Sequence, residues 1–407
     1  MNDQLILTDE FKQALPVFER LTEAGYEAYF VGGSVRDALL NLPVNDVDIA
    51  TSARPEEVKA LFDRTVDIGI DHGTVMVMQD DDQYEITTYR TESTYKDFRR
   101  PDSVSFVSSL EEDLKRRDFT MNAIAIDKEG KITDLFNGIG DLEKQIIRAV
   151  GDPNERFNED ALRMMRAVRF AAQLDFDIDE DTLRAIKNHI SLLDKIAVER
   201  INIEWIKLLT SKARGHGLGA VIESKLYEYC PELKNKKMAL VYLANGKKRI
   251  ANERLAWSLL LYYIRHIQPK GHKENISSFL KQWKTSNQMI EDVKIIVHGM
   301  EERLDSKSIN PYQIFKNELN LSLDIEEALS HIDDELSQPD KVKSIYTKLP
   351  IKSRDELQLT GHDLMTYFDK KPGPWLGEAI NLAEEMVVLD EWPNNKDILV
   401  KQLAKSI

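Results

Sequence analysis

The sequence predicts an α+β amino-terminal domain with a mixed or antiparallel sheet, followed by an all-α remainder in an elongated arrangement. Three observations carry that expectation. Short strand-like runs with turn signals are confined to the first 150 residues. After Gly151 the apolar residues recur with helical rather than alternating spacing. At 407 residues the chain is also too long for a single ordinary core.

Glu27–Val31 reads as a strand ending in Gly32-Gly33, after which Ser34 is expected to cap a helix running to Leu40. Pro43 breaks the chain before a second strand, Val47–Ala50. Thr74–Met78 and Tyr84–Tyr89 flank the acidic turn Asp80-Asp81-Asp82, and Asn122–Ile126 is a further strand. Thr91–Ser109, charged and polar, reads as a mobile loop. The clearest helical patterns are Phe157–Leu174, Glu180–Leu193, Ala197–Ser211 and Asn252–His266. Gly215, Gly217 and Gly219 are read as one break between helices, and Lys370–Pro374 as another. The expected domains are 1–150, 151–212, 213–300 and 301–407.

Composition narrows the class. Hydrophobic residues at 42% beside 31% charged describe a folded globular chain. The lone Cys230 excludes an intrachain disulfide and a cysteine-rich zinc site. No signal-peptide pattern opens the chain, and the most apolar run, Leu255–Ile264, falls short of the roughly 20 residues that span a bilayer. A cytoplasmic enzyme with no membrane association is expected. The net charge of −15 opposes a polyanionic partner, unless local clusters such as Lys115-Arg116-Arg117 and Lys247-Lys248-Arg249 share a face.

The most informative stretch runs from Val31 to Asp48. Two glycines after a strand let backbone approach phosphate, a helix N-terminus favours negative charge, and Arg36 in its first turn can reach the same phosphates. Taken alone, such a Gly-Gly is an ordinary turn. Asp46 and Asp48 change the reading, because alternate strand residues share a face and two close carboxylates repel unless a cation lies between them. Beside a triphosphate that cation is Mg²⁺, with Asp46 and Asp48 as its ligands and Glu85 as the candidate third.

Gly32-Gly33-Ser34-Val35-Arg36-Asp37 with Asp46-x-Asp48 resembles the signature of the DNA polymerase β nucleotidyltransferase superfamily. In particular it resembles the bacterial-type tRNA CCA-adding enzymes and their poly(A) polymerase relatives. The resemblance continues in order through Arg116-Arg117-Asp118-Phe119-Thr120-Met121-Asn122-Ala123, Asp134-Leu135-Phe136-Asn137-Gly138 and Glu159-Asp160-Ala161-Leu162-Arg163-Met164-Met165-Arg166. Beyond these motifs it rests on helical texture and on Pro372-Gly373-Pro374-Trp375. It implies a catalytic head, a neck carrying the base-recognition helix, a body and a tRNA-binding tail. Gly33 and Arg36 would hold the triphosphate of CTP or ATP, Arg117 would assist, and the 91–109 segment would help switch from C to A addition.

The last motif can be read chemically. An ionised Asp only accepts hydrogen bonds and an Arg only donates, so Asp160 and Arg163 together match the amino donor and ring-nitrogen acceptor of cytosine or adenine. Uracil and guanine offer the reverse. Arg166 and Arg169 would continue the row, supporting that pocket or the growing 3′ end. The function implied is template-independent addition and repair of the tRNA CCA end. A bacterial poly(A) polymerase, a CC-only or A-only enzyme, and a non-catalytic RNA-binding protein are the alternatives, and a homodimer stays open. His362-Asp363 suggests a phosphohydrolase motif but lacks a recognisable ligand set nearby, so it reads as solvated surface. The five tryptophans have spacing that suits helix packing.

Overall fold

The computed structural model describes residues 4–69, 73–80, 82–92, 104–106, 109–267 and 273–406. It divides into two compact units, Met1–Asn245 and Gly246–Ile407. A mixed sheet followed by a mostly helical chain is the fold class expected.

In the first unit, helix α1 (Asp9–Glu23) leads to a sheet built from β1 (Ala28–Val31), β2 (Asp48–Thr51), β3 (Thr65–Gly69), β4 (Thr74–Gln79) and β5 (Asp82–Thr88). Helices α2 (Gly33–Leu39) and α3 (Pro55–Leu61) lie between these strands in sequence. A short antiparallel pair, β6 (Arg90–Glu92) and β7 (Val104–Phe106), precedes α4 (Leu110–Lys115) and the last sheet strands β8 (Ile124–Ile126) and β9 (Ile132–Asp134). The sheet order is β3-β4-β5-β2-β1-β8-β9, with β2 and β5 parallel and the other neighbours antiparallel. One face is sealed by α1, whose Phe11 and Phe18 rings meet Phe30 of β1 at 5.0 and 4.8 Å.

The helical part of this unit comprises α5 (Gly138–Glu143), α6 (Pro153–Glu159), α7 (Leu162–Leu174), α8 (Glu180–His189), α9 (Val198–Leu209), α10 (Arg214–Ser224) and α11 (Lys237–Asn245). A two-strand parallel pair, β10 (Ile146–Ile147) with β11 (Asp177–Ile178), ties the start of this region together. The second unit is helical among the described residues: α12 (Glu253–Ile267), α13 (Ile276–Gln282), α14 (Asn287–Ser306), α15 (Pro311–Ser330), α16 (Pro339–Lys348), α17 (Gly361–Phe368), α18 (Pro374–Val388) and α19 (Lys396–Ser406). Trp257 and Trp283 are buried there, and Trp375 and Trp392 pack on a core around Leu364, Ala383 and Leu399. Among the described residues no helix is long and apolar enough to cross a membrane.

Several local expectations give way to tertiary packing. Gly215, Gly217 and Gly219 lie inside α10 rather than in a break. A Cβ on Gly217 would stand 2.6 Å from both the Val168 carbonyl and the Ala172 methyl, so this glycine lets α10 press against α7. Ser34 is not a cap: the helix starts one residue earlier, and the Ser34 hydroxyl donates back to the Val31 carbonyl. The expected helix Phe157–Leu174 breaks at Asp160, which is extended at φ −138° and ψ 102°. The Thr91–Ser109 segment begins in β6 and contains β7, and its residues 93–103, 107 and 108 lie outside the described set. Among the described residues His362 is exposed and Asp363 caps α17 through Thr360 and pairs with Lys396, an arrangement of surface and not of metal binding.

Candidate active site

The floor of the site follows from strand register. Val31 lies opposite Asp48 across the antiparallel β1–β2 pair, and Asp48 lies beside Glu85 across the parallel β2–β5 pair. Neighbouring residues in register project to one face, so the two carboxylates share it. Asp46, two residues before Asp48, is exposed, and the intervening Val47 is buried. Burial pushes the Asp48 carboxyl up to about 6, Glu85 and Asp46 add to the rise, and Arg117 opposes it. These are hard oxygen donors whose mutual repulsion a divalent cation relieves. Among the described residues no three acidic, histidine or cysteine side chains form a closed metal cage. Two or three carboxylates beside an open cleft suit an ion that completes its shell with water and phosphate oxygens.

Next to Asp48 the chain turns at Gly32, with φ 77° and ψ −137°, and enters α2. Arg36 of α2 is buried, yet its guanidinium is held at the cleft by Asn122 Oδ1 (2.7 Å) and Asp37 Oδ1 (2.7 Å) and lies over the Phe170 ring. Arg116 and Arg117 both bind the fully buried Asp113, at 2.6 and 3.1 Å. Asp113 thereby fixes two cations with one carboxylate, and they hold its carboxyl below the usual range against the pull of burial.

The same cleft is also lined by the α6–α7 junction, the start of α7 and Arg200 of α9. Asp160 accepts from the Leu162 N–H (3.0 Å) and from Arg200 (2.7 Å). Arg163 donates to Glu159 (2.6 Å), to the Arg156 carbonyl (3.2 Å) and to the Arg116 carbonyl (2.8 Å). Arg166 binds Asp118 at 2.6 Å, and Arg169 binds Glu204 at 2.8 Å with its guanidinium 3.5 Å from the centre of the Phe170 ring.

All these groups except Asp46, Val47, Asp37, Asp113, Arg156 and the Glu159 and Glu204 anchors line one cleft of about 570 Å³. Its lining holds eight arginines and four carboxylates, which answers the objection raised by the net charge of −15. Gly33, Arg36, Asp48, Arg117, Asp160, Arg163, Arg166 and Arg169 are thus brought together, with Asp46 at the edge. Sequence reasoning missed Asp113, Arg200 and Glu204. The Arg200–Glu204 spacing of one helical turn was visible, but only the fold places it against Asp160 and Arg169.

Residues 28–148 match the poly A polymerase head domain family, so this carboxylate floor sits in a nucleotidyltransferase head. Further along, residues 175–237 match the family described as a probable RNA and SrmB-binding site of polymerase A, and residues 248–403 match the family described as tRNA nucleotidyltransferase domain 2. The chain is 50% identical over 400 residues to the CCA-adding enzyme of Enterococcus faecalis, covering 98% of this chain and 97% of the other. It is 48% identical over 401 residues to that of Ligilactobacillus salivarius, with 98% and 97% covered. The crystal structure of the Bacillus stearothermophilus CCA-adding enzyme in complex with CTP superposes with a TM-score of 0.91 at 38% identity over 98% of each chain. A tRNA nucleotidyltransferase complexed with a primer tRNA and an incoming ATP analog matches with a TM-score of 0.60 at 25% identity, over 82% of this chain and 98% of that one. The chain belongs to the CCA-adding enzymes, and its activity is that of a tRNA nucleotidyltransferase.

Proposed function

We propose that this chain builds and repairs the CCA end of tRNA in the cytoplasm from CTP and ATP, both held in the one arginine-lined cleft. The observation that supports it most is the register that sets Asp48 beside Glu85 and the Gly32 turn, in the same cleft that Asp160 and Arg163 line. Asp46 and Asp48 would hold Mg²⁺, which when bound would supply Lewis acidity toward the tRNA 3′-hydroxyl and the departing pyrophosphate. The Gly33 backbone and Arg36 bind the triphosphate, and Asn122 keeps the Arg36 guanidinium aimed at it. Arg117, tied to Asp113, adds positive charge beside Asp48. Asp160 accepts the exocyclic amino group of C or A while Arg163 donates to the neighbouring ring nitrogen. Arg166 and Arg169 support this wall. A wrong base meets two mismatched polar groups, worth about two to four orders of magnitude in selection. In this reading residues 1–150 are the catalytic head, 151–212 the neck, 213–300 the body and 301–407 a tail that binds tRNA.

The test supplies a tRNA transcript lacking its last three nucleotides, with Mg²⁺ and labelled CTP and ATP, singly and together. Growth by three nucleotides that then stops is the expected result. Addition of CC alone, of A alone, or of a long A tail would replace full CCA addition by one of those activities.

A further inference from the structure

Resting on the base-selection reading of Asp160, we infer that Arg200 of α9 is the positioning residue that fixes the selecting carboxylate and so sets discrimination against U and G. Asp160 is not part of a helix that would hold it. It sits at the break between α6 and α7, in extended backbone. Its Oδ1 accepts from the Leu162 N–H at 3.0 Å and from Arg200 at 3.4 Å, and its Oδ2 accepts from Arg200 at 2.7 Å. An ionised carboxylate has roughly four lone-pair directions, and these three bonds leave about one for an incoming donor. The fork of a guanidinium fixes the plane of the carboxylate as well as its place, which a single ammonium contact does not.

The same helix makes a second contact of opposite sign. Glu204, one turn beyond Arg200, takes Arg169 at 2.8 Å and lies 3.9 Å from Arg166. Thus α9 offers a cation to the Asp160 carboxylate and an anion to the neighbouring Arg169 and Arg166, and α7 packs along it. Arg200 itself borders the cleft. Without the fork, Asp160 keeps its charge but gains rotational freedom, and it can then turn an acceptor or a bridging water toward a wrong base. Loss of Arg200 therefore degrades selection more than it degrades turnover.

The experiment compares kcat/KM for CTP and for UTP in wild type, Arg200→Ala, Arg200→Lys, Asp160→Ala and the Arg200→Ala/Asp160→Ala double variant, with thermal midpoints alongside. Arg200→Ala should lower the CTP-over-UTP preference by about ten- to a hundredfold, mainly by raising UTP use. Arg200→Lys, which keeps charge and fold, should fall between it and wild type. In the Asp160→Ala background, removing Arg200 should change the preference no further. Equal losses for CTP and UTP, or a further loss of preference in the double variant, would overturn the assignment while leaving the role of Asp160 standing. An Asp160→Ala enzyme that still rejects UTP would remove the base-selection reading itself, and the inference with it.

Discussion

Asp48 and Asp118 border the same cleft, and burial pulls both carboxyls upward, yet they end in opposite states. Asp48 has Glu85 and Asp46 as neighbours with only Arg117 in opposition, so its affinity for a proton rises to about 6. At Asp118 the Arg166 guanidinium and the Asn122 amide outweigh burial and hold the carboxyl well below the usual range. One aspartate is short of positive charge and the other is saturated with it. The first is placed to receive something from outside the chain; the second is part of the frame that aims the arginines.

The largest effect is expected at Asp48, the aspartate short of positive charge. Asp48→Asn, like Asp46→Ala, should lower incorporation of both nucleotides about a thousandfold or more, since the metal contribution is worth several kcal/mol. Turnover that survives either change would remove that residue from the metal site. Stability should move the other way. A folded-state value of about 6 above an ordinary 3.8 means that the folded protein holds this proton more tightly, so stability falls as pH rises between those values. Asp48→Asn should therefore unfold with about 3 kcal/mol more difficulty at pH 7 and with no gain near pH 4. Mg²⁺ should raise the thermal midpoint of wild type and lose most of that effect in Asp48→Asn. A midpoint at pH 7 that drops on this substitution would refute the account of charge repulsion.

Asp118→Asn tests the saturated half. Its carboxylate binds Arg166, the Asn122 amide and the Phe119 N–H, and its removal leaves the partly buried Arg166 without that counter-charge. A loss of about 2–4 kcal/mol is expected at pH 7. Because the folded value lies below the unfolded one, this contribution is fully present above the ordinary 3.8 and is lost progressively as pH falls from there to the lower folded-state value. The variant should then show a shallower loss of stability below pH 4 than wild type, measured by denaturant titration across pH. Parallel acid limbs would assign the acid sensitivity to other groups.

Much of the floor was legible because it depends on local rules. Asp46 and Asp48 flank the buried Val47, and the turn residues Gly32-Gly33 end a strand, all of which alternation and turn chemistry expose. The anchors were not legible, since nothing local joins Arg200 to Asp160 or Asp118 to Arg166 across 40 and 48 positions. Gly217 misled for a similar reason. Its propensity marks a break, but the α7 backbone lies where its side chain would be. The break at Asp160 was hidden by a run of helix formers on both sides, and is stabilised by the Leu162 N–H that the Asp160 carboxylate accepts.

The smallest effect separates backbone strain from the site. Gly25 and Gly32 flank β1, with φ of 90° and 77°, so alanine at either costs about 1–2 kcal/mol of backbone strain. A methyl at Gly25 would meet no atom within 4 Å, whereas at Gly32 it would stand 3.2 Å from an Arg117 nitrogen and 3.4 Å from an Asp48 oxygen. The Arg117 guanidinium is the far end of a flexible side chain, so it can yield at little cost in stability. Yielding moves it off Asp48, where it is the cation that opposes the raised pKa. Gly25→Ala and Gly32→Ala should therefore lower the unfolding midpoint to a similar degree, while only Gly32→Ala lowers nucleotide incorporation, by about tenfold for each 1.4 kcal/mol of lost electrostatic support. If Gly25→Ala loses incorporation equally, the loss reports instability and the Arg117–Asp48 contact carries no functional weight.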